Sequence, residues 1–197
     1  MKGLWFIARN KTVLGVCMVL VVMLFLDGAE GVILLVITKQ ILQKTDFHYG
    51  VITTVKGVGM ALASISAMRW VKRKKQSNMQ TLCCLGYIKI LMVFLMAYSR
   101  HYMFLALIVF LEAYFWVSMT IIESIILQSE LPPEYRGSVY AFYGSLCWMA
   151  GFVGTLLFGM VADHIAIPAA VTIEATLAFG SIILIHSKMK KREKAPD

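Results

Sequence analysis

The chain has 197 residues, 59% of them hydrophobic and only 15% charged, and a mean hydropathy of +0.76. An apolar excess this large cannot be hidden in a core of this size and must face lipid, which excludes an ordinary soluble domain. The net charge of +8 does not point to nucleic acid, because the basic residues gather at the chain ends and in one loop between apolar stretches, the pattern of cytoplasmic membrane loops.

Residues 1–12 read as a basic amphipathic linker containing Lys2, Arg9 and Lys11. They are not a signal peptide, since Asp27 and Glu30 stand where a small-residue cleavage site belongs. Six stretches then reach the roughly 20 mainly apolar residues that a spanning helix needs. The first, 13–38, is interrupted by Asp27 and Glu30; the second, 49–68, contains Lys56; the third, 79–98, contains Lys89. The fourth, 102–128, contains Glu112 and Glu123, the fifth, 138–162, has no charge, and the sixth, 169–187, contains Glu174. Short turns at 99–101 and 163–168 imply antiparallel hairpins. Residues 188–197 form a basic tail, solvated and facing lipid headgroups. The expected architecture is all-α, a polytopic bundle of six transmembrane helices over residues 13–187. Placing both termini inside puts fourteen basic residues on the inner segments against three (Lys39, Lys44 and Arg100) on the outer ones, so the expected orientation is a cell inner membrane protein with cytoplasmic termini.

Small residues repeat every four positions in two spans: Gly59, Ala63 and Ala67 in the second, and Ala150 with Gly154, and Thr155 with Gly159, in the fifth. Such stripes let helix backbones approach closely in lipid, although a Gly- and Ala-rich chain also yields them by chance. Cys17, Cys83, Cys84 and Cys147 lie inside apolar stretches with no zinc or redox spacing, and read as small buried hydrophobes. No hydrolase motif occurs, and His48, His101, His164 and His186 sit at separate helix ends. The expectation is therefore no catalytic residue, no metal and no cofactor. A membrane-embedded enzyme would need such a motif, and a channel-like oligomer would show polar rings around a symmetry axis.

A charge inside a bilayer costs about 2.5–3.5 kcal/mol on insertion scales and is a functional candidate by default. Asp27 and Glu30, three residues apart, share one face of the first helix, flanked by Gly28 and Gly31. A helix broken there beside two carboxylates suits a coupling ion or a cation; the alternative is a wet outward vestibule. Counted from the outer helix ends, Glu30 and Lys56 lie at similar depth, as do Lys89 and Glu112. Two ion pairs are therefore expected, serving transport or only fixing helix register. Glu123 and Glu174, nearer helix ends, read as interfacial.

Several segments together resemble the C-terminal half of a major facilitator superfamily transporter, closest in look to the drug and macrolide efflux branch. Residues 3–10, Gly-Leu-Trp-Phe-Ile-Ala-Arg-Asn, are similar to the linker entering that family's seventh helix. The glycine- and alanine-rich second span ending in the basic segment 69–75 resembles the eighth helix and its loop. Residues 132–140, with Pro132, Pro133, Arg136 and Gly137 before Gly144, Gly151, Gly154 and Gly159, look like the tenth-to-eleventh loop and a glycine-rich helix. No Asp follows the second span, where the family's loop signature carries one. The resemblance implies one half of a secondary transporter, a three-plus-three inverted repeat. It implies proton-coupled efflux of drug-like small molecules and a second six-helix half, as a separate chain or a homodimer, or else an incomplete half with no transport of its own. It places Asp27, Glu30 and Glu112 as coupling or substrate candidates, Lys56 and Lys89 as their partners, and Tyr114, Trp116 and Trp148 on the cavity wall. There, aromatics would attract an amphipathic cation; packing or lipid-facing aromatics are the other reading.

Overall fold

The computed structural model describes the backbone of residues 7, 9–73, 79–162 and 164–193, and the side chains of these except 67–73 and 188–193. Most of the linker 1–12, with Lys2, and Lys74, Lys75 and Lys194 of the basic segments lie outside the described residues. The described residues are helical, with no strand. The helices are α1 (Lys11–Val36), a π-helical stretch Ile37–Ile41, α2 (Asp46–Arg73), α3 (Met79–Ala97), α4 (Tyr102–Glu130), α5 (Pro133–Ala162) and α6 (Ile167–Glu193). Among the described residues, α1 with the π-helical stretch, α3, α4, α5 and α6 each hold a stretch long and apolar enough to cross a membrane. The protein is thus a multi-pass membrane protein. At 28 residues, about 42 Å, α2 is as long as the others, and it carries Thr53, Thr54, Lys56, Ser64 and Ser66 among its apolar residues. Helix α6 continues to Glu193, so the first residues of the expected tail are helical.

Local signals explain the helix ends. Asn10 caps α1 by accepting from the Thr12 and Val13 amides at 3.0 and 3.1 Å, satisfying donors that the first turn leaves free. At the other end the Leu42 amide reaches the Ile37 carbonyl at 2.9 Å, and Gln43 takes a left-handed conformation that turns the chain into α2.

One expectation is corrected here. Gly28 and Gly31 do not break α1, which is continuous from Lys11 to Val36; the irregular backbone is the π-helical stretch beyond it. Gly28 serves approach instead. A Cβ at Gly28 would overlap the Gly151 carbonyl oxygen of α5, and one at Gly154 would overlap the Phe25 carbonyl of α1. Thr155 seals this seam by donating to the Gly28 carbonyl at 2.7 Å. The other small-residue stripe is used likewise, with Gly59 against the Phe110 carbonyl and Ala63 buried, whereas Gly159 faces open space.

The core is divided. One apolar cluster, at the end bearing the termini, runs from Val13 to Leu26 on α1, from Met79 to Ile90 on α3 and from Met119 to Leu131 on and just beyond α4. The other begins at Ala29 on α1, at Val93 on α3, and spans Leu105 to Val109 on α4, with Ile52 from α2. Between the two lies a layer holding Asp27, Glu30, Lys89 and Glu112, with Lys56 one turn beyond Ile52.

Candidate functional site

The divided core brings together five charged side chains from four helices: Asp27 and Glu30 of α1, Lys56 of α2, Lys89 of α3 and Glu112 of α4. Lys89 has no exposed surface; it donates a hydrogen bond to Asp27 and lies 3.0 Å from Glu112. Lys56, with a quarter of its side chain exposed, reaches Glu30 at 2.5 Å and Glu112 at 3.9 Å. Oxygens of the three carboxylates lie within 4.8 Å of one another. The pairs expected from depth, Glu30 with Lys56 and Lys89 with Glu112, are therefore halves of one network, and Asp27 completes it through Lys89.

The arrangement is asymmetric in two respects. Three acids against two lysines leave one excess negative charge when all are ionised. Asp27 and Glu30 each accept a hydrogen bond from one lysine, whereas Glu112 lies 3.0 Å from Lys89 and 3.9 Å from Lys56. Glu112 is the acid that both lysines share. The three oxygens are close enough to ligate a metal ion, but a divalent cation would have to enter beside two ammonium groups. The donor set suits protons or a monovalent organic cation better.

Aromatic residues border this layer unevenly. The Lys89 ammonium sits 3.9 Å from the centroid of the Trp116 ring, a cation–π contact that adds to its two carboxylates. The Tyr114 hydroxyl shares a hydrogen bond of 2.7 Å with Ser66 of α2. Trp148 stands apart, 83% exposed on the surface of α5.

A family model described as transmembrane secretion effector, of the major facilitator type, matches residues 1–197. The chain belongs to this family. No curated protein and no solved structure matches it. Transmembrane secretion effectors of this type are transporters rather than enzymes, and membrane transport is the coarse function that the match establishes.

Two further acids lie off the charge layer. Glu123 and Glu174, read as interfacial from their place nearer helix ends, are both buried against neighbouring helices. Glu123 faces the Tyr143 hydroxyl, which hydrogen bonds to it beside Cys147. Glu174 has no hydrogen-bond partner for either oxygen among the described residues. Distance from a helix end speaks to depth and not to burial, which here follows the helix face. Ala170, Val171, Ala175 and Ala178 surround Glu174 on the buried side of α6, and Met119, Ile122, Ile126 and Leu127 do the same for Glu123 on α4. That 3.6-residue periodicity was the available signal.

Proposed function

We propose that the chain is one six-helix half of a major-facilitator-type secondary transporter, and that its central charge layer couples proton movement to efflux of drug-like amphipathic cations. In this reading α2 also crosses the bilayer, the termini face the cytoplasm, and a second six-helix half, a separate chain or a second copy, completes the cavity. One observation carries the coupling role: three acids share two lysines, and Glu112 is the acid within ion-pair distance of both. A proton on any of the three makes the layer neutral, and losing it restores a single negative charge. Such a one-charge exchange, in a layer joining four helices, is what coupling a proton to a cation requires. The layer is also reachable, since Lys56 and Asp27 at its edge are partly exposed while Lys89 and Glu112 are enclosed.

The test is proton-driven uptake of a fluorescent cationic dye into inverted vesicles, with a second six-helix half co-produced. Glu112→Gln, Asp27→Asn and Glu30→Gln should each abolish driven uptake while the protein stays in the membrane. Dye binding without a gradient should persist in Glu112→Gln. Wild-type driven rates in all three variants would overturn the coupling role. Topology is tested separately. A cysteine within 72–76 should be shielded from impermeant thiol reagents in intact cells, and one at His101 or His164 should label; the reverse pattern would refute the orientation.

A further inference from the structure

Away from the charge layer, a crevice of about 230 Å³ lies between α1, α5 and α6. Its wall is apolar, with Phe25, Leu157, Phe158, Ile173 and Leu177, except for Glu174. That side chain is 8% exposed, and neither carboxyl oxygen meets a donor among the described residues. The two lysines of the neighbouring layer are committed to Asp27, Glu30 and Glu112. A buried carboxyl group in a carbon-lined space has lost its water without gaining a partner, and such groups are rare unless something else meets them. At the mouth, Leu157, Ile173 and Leu177 are exposed on the flank of the bundle. Glu174 lies seven residues into α6, about 10 Å from its start. The crevice therefore opens sideways, below the helix end, where lipid rather than water is adjacent.

We infer that this crevice is a binding site for a small amphipathic monocation, an alkylammonium or single-ring arylalkylammonium, whose charged head meets Glu174 and whose apolar body fills the space among α1, α5 and α6. The volume sets the size class, since it is below the roughly 300–1,000 Å³ of drug-sized sites. The charge sets the head group, because a protonated amine offers up to three donors to a carboxylate with two idle oxygens, and charge-assisted bonds of this kind are the strong ones. The apolar wall rejects a second charge, so diamines and divalent metals are excluded. The ammonium is supplied either by a soluble amine partitioned into the bilayer or by an ethanolamine lipid headgroup.

The experiment uses the full chain in phosphatidylcholine nanodiscs, with a benzophenone-bearing alkylamine and its uncharged alcohol counterpart as photoprobes. Crosslinks are mapped by peptide mass spectrometry. The amine should label α5 and α6 saturably and in preference to the alcohol. Glu174→Gln should weaken that labelling by about tenfold or more, and Ile173→Trp, which fills the mouth and keeps the acid, should also remove it. Ile173→Trp keeps the test valid if the Gln variant proves unstable. Loss on adding phosphatidylethanolamine would identify the lipid headgroup as occupant, and persistence would identify the soluble amine; both support the site. Equal labelling of wild type and Glu174→Gln, or of both proteins by amine and alcohol alike, would overturn it. Labelling should survive Glu112→Gln, so failure of the coupling proposal and failure of this one are told apart.

Discussion

Asp27, Glu30 and Glu112 share two lysines in the middle of the bundle, whereas Glu123 and Glu174, also buried, have no lysine in ion-pair distance among the described residues. Similar burial thus produces two different situations. In the central layer each lysine is the partner of two acids, so the cation is the more costly group to lose. On α6 the acid has nothing inside the described chain to lose, and its mutation exposes no new imbalance. Glu123 stands between, because a tyrosine hydroxyl meets it without charge. Burial alone therefore does not predict what a charged side chain does for stability; the number of partners stranded by its removal does.

The comparison can be broken most directly at Lys89. Lys89→Met strands Asp27 and Glu112 in the interior and should cost about 3–5 kcal/mol, read as thermal unfolding in mild detergent. If Lys89→Met were as harmless as a change at Glu174, the distinction between the two regions would fail. Next, Lys89→Met combined with Glu112→Gln should lose less than the sum of the single changes, with a coupling of about 1–3 kcal/mol; additive losses would show that the two do not act as a pair. Lys56→Met should cost about 1–2 kcal/mol, less than Lys89→Met, because solvent reaches a quarter of the Lys56 side chain. The smallest effect should be Glu174→Gln without ligand, within about 0.5 kcal/mol of wild type, since no interior partner is stranded. A loss there comparable to that at Lys56 would mean that Glu174 has a partner inside the bundle.

Hydropathy and charge made the helices legible, because lipid imposes both apolar length and placement of basic loops. The depth count brought Glu30 to Lys56 and Lys89 to Glu112, since facing helices at equal depth have few other ways to satisfy a charge. It did not bring Asp27 to Lys89, which depends on how α1 is rotated about its axis, and rotation is set by packing. The same gap explains Gly28. As a single residue it looks like a helix breaker, and its role appears only when α5 lies against it at carbonyl distance. The family resemblance places Trp148 on a cavity wall, and its ring is exposed on the surface of α5, on a face left for lipid or a second half to cover.

The divided core has a consequence for how the protein is made. Helix α1 leaves the ribosome before α2 and α3, carrying two acids, and its partners arrive later, Lys56 26 residues after Glu30 and Lys89 62 residues after Asp27. Its long apolar surface offsets the insertion cost of those acids. Helix α2 has less of that reserve, since it carries Lys56 and several hydroxyl groups along its length. On the proposed six-span topology, docking on elements already there should help α2 enter the bilayer, with Glu30 waiting for Lys56. Translation order would then be part of the folding code, with an acid made earlier acting as a receptor for a lysine-bearing helix made later. A glycosylation or protease-protection reporter joined after residue 73 reads this step. Glu30→Gln should leave α2 outside the membrane in a larger fraction of chains, and unchanged insertion would show that α2 needs no such receptor.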